Sequence, residues 1–429
     1  MKLQTEKLSI PSWILFDFAN SAYTTLVVTF IYGTYFVKSI APDEITGTAL
    51  WSRGVTLTAI SVALLSPVLG AVADRTGKRR AFLLASTLVT VAGAVLLFPV
   101  KPGQVFWALF FFVVSNIAFE LTNVFYNSFL PDIAPKEKIG RISGWGWGAG
   151  YVGGLLAMII AMAGFISPET PWFGFTKEAG EHIRATNLLV AVWFAVFSIP
   201  CFLFVHQKRT VRKAGSNDSL SAGLSEFRHT VKELKNYRQT VLLLAARLVY
   251  NDGLVTIFAF GGIYAAGTFG FTFNEIMIFG IVLNVCAGAG AMIMGILDDK
   301  IGGKKTIQIS NIALALASFM AMAAPDKTWF WAAGILVGLF AGPNQSASRS
   351  LLARFVPENK TSQFFGFFAF SGKLTAFAGP MLLGLFTEIF SSQRAGISVV
   401  VLFFIIGALI LQRVDEQAGI RAAAPRADR

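Results

Sequence analysis

The chain has 429 residues, 55% hydrophobic and only 14% charged, with a mean hydropathy of +0.62 and a formal net charge of +12. A soluble domain carries about a quarter charged residues, and here the apolar surplus falls in runs near the roughly 20 residues that cross a bilayer, which excludes a soluble enzyme or binding module. Cys201 and Cys286 lie in separate apolar runs, so no disulfide framework is expected.

The first ten residues are polar and basic, and the apolar stretch behind them is too long for a signal-peptide core, so no removable leader is expected. Apolar runs between charged or Pro/Gly-rich breaks then predict helices over 12–37, 50–73, 81–100, 104–130, 142–165 and 186–206. After a polar interval they resume over 240–268, 274–297, 306–324, 328–355, 362–389 and 394–413. No period-2 alternation points to a barrel. Twelve spans put both termini on one side, and the distribution of Lys and Arg says which. One set of loops holds Arg75, Lys78, Arg79 and Arg80, then Lys136, Lys138 and Arg141, then Lys300, Lys304 and Lys305, while the alternate loops carry isolated bases such as Lys101 and Arg184. The termini are therefore expected to be cytoplasmic, and the positive balance faces anionic lipid headgroups, not nucleic acid.

The interval 207–239 opens with Lys208, Arg209, Arg212 and Lys213 and a polar stretch, Gly215 to Ser219. Leu220, Leu224, Phe227, Val231 and Leu234 then recur at helical spacing, predicting an amphipathic helix that lies on the cytoplasmic face and tethers two bundles. The expected organisation is a six-helix bundle over 1–206, this linker, a second bundle over 240–413 and a cytoplasmic tail over 414–429.

The halves echo each other in order. Gly70-x-x-x-Asp74-Arg75-x-Gly77-Lys78-Arg79-Arg80 follows span 2, and Gly295-x-x-Asp298-Asp299-Lys300-x-Gly302 follows span 8. Asn20-Ser21 in span 1 matches Asn251-Asp252 in span 7, and Asn127-Ser128 before Pro135 matches Arg349-Ser350 before Pro357. The first of these loops resembles the signature loop of the major facilitator superfamily, with a degenerate second copy where that family repeats it. The resemblance implies an all-α membrane protein of two pseudo-symmetric six-helix bundles, with Asp74, Arg75, Gly77, Arg79, Asp299 and Lys300 latching the halves on the cytoplasmic side. Phe16-Asp17-Phe18-Ala19-Asn20-Ser21-Ala22-Tyr23, Asn123-x-x-Tyr126-Asn127 with Leu130-Pro131-Asp132, and Gln345-Ser-x-Ser-Arg349-Ser350 are similar to the Atg22-like (UMF1) branch, whose fungal vacuolar members are associated with amino-acid efflux. The glycines of span 5, from Gly144 to Gly154, lack the Gly-Pro pair of the antiporter motif and read as close helix packing.

Ionisable side chains inside a membrane are costly and mark pathways or buried pairs. They fall on spans 1, 4, 7, 10 and 11 and are missing from the interiors of spans 3, 6, 9 and 12, the helices that the family fold turns toward lipid. Asn116, Glu120, Asn123 and Asn127 share one face of span 4. Asp17, Arg247 and Arg349 fall in the cytoplasmic third, and Glu120, Asp252 and Lys373 nearer the midplane. The candidate solute or coupling residues are Asp17, Asn20 and Tyr23; Glu120, Asn123 and Asn127; Arg247, Asn251 and Asp252; Gln345 and Arg349; and Lys373. Arg349 with Arg247 or Lys373 suits a carboxylate, and Glu120 or Asp17 an ammonium or a coupling proton. The expected function is secondary active transport of a small polar solute, such as an amino acid or a related zwitterion or anion, in a bacterial inner membrane. The alternative is a transporter-fold sensor or scaffold. His182, His206 and His229 share no metal-ligand spacing and no Walker loop is present, so neither an enzyme, nor a cofactor, nor ATP-driven pumping is expected.

Overall fold

The computed structural model describes residues 2–207 and 220–424. Long helices follow one another with short connections: α1 (Lys7–Ile40), α2 (Glu44–Thr76), α3 (Arg79–Leu97), α4 (Val105–Asn127), α5 (Ile139–Ala161) and α6 (Glu181–Phe204) precede a linker helix, Leu220–Glu233. After it come α7 (Arg238–Phe269), α8 (Phe273–Ile301), α9 (Gly303–Ala323), α10 (Lys327–Phe355), α11 (Glu358–Ile389) and α12 (Gln393–Gln412), then a tail helix, Glu416–Ala423. Eleven of these segments are long and apolar enough to cross a membrane. The remaining one, α10, is 29 residues long, and its run from Pro343 to Arg349 is too polar to face hydrocarbon. Ser346, Ser348, Arg349 and Ser350 are all buried by protein.

Three departures from the expected elements have local causes. α1 is longer than 12–37 and widens into π-helical turns over Tyr23–Phe30, a stretch crowded by the β-branched Thr24, Thr25, Val27, Val28 and Thr29, and over Phe36–Ile40. Arg184 is no loop base. It lies in the first turn of α6, buried, with Nη1 donating to the Phe98 carbonyl at 2.8 Å. Span 11, expected as one helix, is two: Thr361–Lys373 and Ala378–Ile389. Pro380 has no N–H to donate and its ring conflicts with the carbonyl four residues back, so the helix cannot run through 376.

Exposed apolar side chains recur at i, i+4 spacing on α3 (Leu84, Leu88), α6 (Val192, Val196) and α9 (Ile312, Leu316), as expected for the lipid-facing helices. The halves meet along two seams, α2 with α11 and α5 with α8. Glycine makes both possible. A Cβ at Gly70 would run into the Ser362 carbonyl, one at Gly366 into the Ser66 carbonyl, and one at Gly144 into the Ala291 carbonyl. The glycines of α5 divide by face: Gly144 and Gly148 admit α8, while Gly150 and Gly153 admit α1.

The linker helix lies across the α2–α11 seam. Glu226 faces Arg75 of α2 at 3.7 Å, Thr230 donates to Gln363 at 3.0 Å, and Glu233 takes Lys360 at 2.9 Å. Phe227 stacks on Phe367 with ring centroids 6.0 Å apart. The basic cluster Lys208–Lys213, the stretch Gly215–Ser219, and Arg426 and Arg429 of the tail lie outside the described residues.

Because the atom met at Gly144 is backbone, overpacking there should cost about 1–3 kcal/mol. Gly144→Ala should lower the Tm of the purified protein and increase water access along the α5–α8 seam. Gly261→Ala, where nothing lies within 4 Å, should leave both unchanged.

Candidate functional site

The end of the bundle that carries the termini is closed by carboxylates that cap helices of the opposite half. Asp74 ends α2, which turns at Gly77 in the left-handed region with φ +67°. Its Oδ1 accepts from the Ser362 N–H at 3.0 Å and its Oδ2 from the Gln363 N–H at 2.8 Å, so it caps the first turn of α11. A carboxylate there meets both the unpaired amides and the positive end of the helix. Asp299 does the same for α5, accepting from the Gly140 N–H at 2.8 Å and from Arg141 Nε at 2.7 Å. Arg79 ties Asp74 at 2.8 Å to Asp132 at 3.1 Å and donates across the seam to the Glu358 carbonyl at 2.7 Å. Of the six expected latch residues, Asp74, Arg79 and Asp299 join the halves directly, with Gly77 shaping the turn. Arg75 reaches the linker helix, and Lys300 is exposed.

One turn deeper, Arg349 of α10 is inserted into the first half. Nη1 donates to Asp17 at 2.8 Å and to Asn127 at 3.0 Å, Nε donates to Ser143 Oγ at 2.9 Å, and Nη2 donates to the Ser143 carbonyl at 2.7 Å. Its Cζ lies 4.7 Å from the Trp13 ring and 5.7 Å from the Trp147 ring. Trp13 is itself fixed by exchange with Tyr126: Trp13 Nε1 donates to the Tyr126 carbonyl at 3.1 Å, Tyr126 Oη donates to the Trp13 carbonyl at 2.7 Å, and the rings stack 4.6 Å apart. Arg349 is 3% exposed, and four of its five N–H donors are engaged by the first half. Sequence reasoning missed Trp13, Ser143 and Trp147. Their only signal is an aromatic and a Gly-flanked Ser-Gly-Trp-Gly-Trp run beside the charged positions.

Toward the middle of the bundle one ion pair joins the halves among the described residues, Lys373 Nζ to Glu120 Oε1 at 2.6 Å, with side chains 31% and 20% exposed. Glu120 comes from α4 and Lys373 from the last residue of the inner part of α11, just before its break. Arg247 of α7 lies against Gly372, the neighbour of Lys373, where an added Cβ would come within 2.6 Å of its Nη1. It has no carboxylate within ion-pair distance among the described residues. Its Nη1 donates to the Phe368 carbonyl at 2.7 Å and Ser371 Oγ at 3.0 Å, and its Cζ lies 3.6 Å from the Phe368 ring. Asn20 donates to Asn123 at 3.3 Å and Asn251 to the Gly372 carbonyl at 3.2 Å. Gln345 is half-buried. Tyr23 lies elsewhere: it is fully buried inside the first half, hydrogen-bonded to Ser115 at 2.6 Å and stacked on Phe119. Asp252 is buried against Thr375. Among the described residues, the hydrogen bonds and ion pairs that join the halves lie at or below the level of Glu120 and Lys373, on the side of the termini.

Comparison with known proteins agrees with this architecture. The MFS-type transporter YxiO of Bacillus subtilis is 27% identical over 409 residues, covering 95% of this chain and 94% of its own. Autophagy-related protein 22 of Kluyveromyces lactis is 22% identical over 345 residues, 72% of this chain and 68% of its own. Among solved structures, the human organic anion transporter MFSD10 superposes with a TM-score of 0.75 at 13% identity over 95% of this chain and 99% of its own, and FucP in the outward conformation with 0.73 at 13% over 96% and 98%. The model of the family described as vacuole effluxer Atg22 like matches residues 37–424. The chain belongs to that Atg22-like family and has the major facilitator fold.

Proposed function

We propose that this protein is an alternating-access carrier for a small polar solute, an amino acid or a related zwitterion or anion, in a bacterial inner membrane with both termini in the cytoplasm. The observation that carries the reading is the Glu120–Lys373 pair, which bridges the two halves midway along the bundle, with the Arg247 guanidinium, held only by neutral acceptors, against Gly372 next to it. Such a pair is a competitor that a zwitterion can replace: its carboxylate goes to Lys373 and Arg247, its ammonium to Glu120. Asn20, Asn123 and Asn251 add neutral donors and acceptors around them. The closed end, sealed by Arg349–Asp17 and by the Asp74 and Asp299 caps, is then the cytoplasmic gate. The description of the Bacillus relative as an MFS-type transporter supports the class of activity.

A thermal-shift screen of purified protein against amino acids, peptides and organic anions tests the solute class. A ligand at a hundred times its Kd stabilises by about 2.7 kcal/mol, and the expected hit carries both an ammonium and a carboxylate. With that solute in proteoliposomes, Glu120→Gln should cut uptake about tenfold or more, since a hydrogen bond to a charged group contributes about 1.5–3 kcal/mol. Full uptake by Glu120→Gln would remove Glu120 from the site.

The gate makes a separate prediction. Asp17→Asn leaves Arg349 buried with no counter-charge, a change that costs about 3–5 kcal/mol in comparable pairs. Asp17→Asn should therefore lower Tm and raise labelling of cysteines placed at the termini end. Arg349→Gln combined with Asp17→Asn should recover much of the Tm. Additive losses in the double variant would show that the two side chains do not act as a pair.

A further inference from the structure

Among the described residues, the carboxylates between the middle of the bundle and its closed end all meet a base but one. Asp17 meets Arg349, Asp74 meets Arg79, Glu120 meets Lys373, Asp298 meets Arg354 and Asp299 meets Arg141. Asp252 of α7 is 2% exposed and has no basic group within ion-pair distance among the described residues. Its side-chain partner is Thr375, which lies in the break of α11.

The hydrogen positions around Thr375 can be counted. Its Oγ1 lies 3.1 Å from the Leu248 carbonyl oxygen and 3.1 Å from Asp252 Oδ1. A hydroxyl has one proton and cannot donate to both. A neutral Asp252 serves both contacts, donating its own proton to Thr375 Oγ1, which donates in turn to the Leu248 carbonyl beside the helical N–H that this carbonyl already accepts. An ionised Asp252 would compete with that carbonyl for one proton and keep an uncompensated charge in the bilayer.

The neighbourhood offers no other neutraliser. On α7, Arg247 is turned toward Phe368 and Ser371, outside ion-pair distance of Asp252, and Tyr250 is bonded to Ser348 at 2.7 Å. On α11, Lys373 is held by Glu120, and on α10, Arg349 by Asp17. α12 has no charged side chain between Arg394 and Arg413, and α8 none between Glu275 and Asp298.

The break itself is seated on this residue. Inside it, Asn251 holds the Gly372 carbonyl; outside it, a Cβ at Gly379 would come within 2.9 Å of the Asp252 carbonyl oxygen. We infer that Asp252 is a proton-binding site: it takes a proton from hydronium when the break is closed on α7 and returns it to water when the break opens. The binding stands on this geometry alone; its role in transport rests on the carrier reading above. Broken helices at the middle of a membrane are where carriers place coupling ions.

Infrared difference spectroscopy of the purified protein, titrated with pH in potassium buffer, reads the site directly. Wild type should show the carbonyl stretch of a buried neutral carboxyl that disappears as pH rises. The band should be lost in Asp252→Asn and retained in Glu120→Gln. Thr375→Val, which keeps shape but removes the acceptor, should shift its frequency. A band unchanged in Asp252→Asn and Thr375→Val would overturn the assignment, and so would loss of the band when sodium replaces potassium at constant pH. The coupling has its own readout: labelling of a cysteine at the termini end should vary several-fold with pH in wild type and become pH-independent in Asp252→Asn. Wild-type pH dependence surviving in Asp252→Asn would sink the coupling. Failure of every amino acid, peptide and organic anion in the flux assay would sink the carrier reading and leave the infrared readout standing.

Discussion

A guanidinium cannot be left bare in a membrane, and the position of Arg349 organises the closed end of this molecule. The residue belongs to the second half, yet its side-chain partners are all in the first: Asp17 on α1, Asn127 at the end of α4 and Ser143 on α5. Three helices must therefore hold fixed spacing for one side chain to be satisfied. The glycines of α5 follow from the same demand. A Cβ at Gly146 would come within 2.5 Å of the Asp17 carboxylate and 2.8 Å of Arg349. The Trp13–Tyr126 exchange supplies a flat, rigid surface against which the guanidinium lies. Separating the halves at this end exposes a charge whose desolvation has already been compensated, so the closed form is a discrete state and not one point on a continuum.

Saturation falls off along the axis. At the closed end four of the five donors of Arg349 and both oxygens of Asp74 and of Asp299 are engaged. At the level of Glu120 the polar groups are fewer and less completely paired: one partly exposed ion pair, and a guanidinium held by a carbonyl, a hydroxyl and an aromatic face. That gradient suits a carrier. A gate needs interactions that are worth more to each other than to water, whereas a solute site needs groups whose internal partners a ligand can displace.

The sequence carried the count of helices, their two-fold repetition and the confinement of charge to particular spans, because each is written in hydropathy period and residue spacing. Asp74 and Asp299 were legible as members of repeated loops. Their partners were not, since the N–H groups they cap lie on helices some 160 to 290 residues away and are backbone, which leaves no signature in side-chain identity. Arg349 was visible as an intramembrane base, but its partners depend on which conformation the halves adopt. Tyr23 was a candidate solute residue, yet it packs within the first half, bonded to Ser115 where the π-helical turns of α1 begin. The break in α11 had a signal in Pro380, offset by the unbroken apolar run around it.

The reciprocity of the two caps adds a constraint on motion. Asp74 of the first half caps α11 of the second, and Asp299 of the second caps α5 of the first. Each half thus supplies the negative charge that satisfies a helix terminus of the other, at two separate seams flanking Arg349. Opening one seam alone would leave its helix terminus uncapped while the other still held the halves in register. The economical motion is a rotation that releases both caps and Arg349 together. The linker helix, bonded to Arg75 on one side of a seam and to Lys360 on the other, has to give way in the same step. On the carrier reading, a closed end built this way would open all at once and keep a central site from being open to both sides of a membrane.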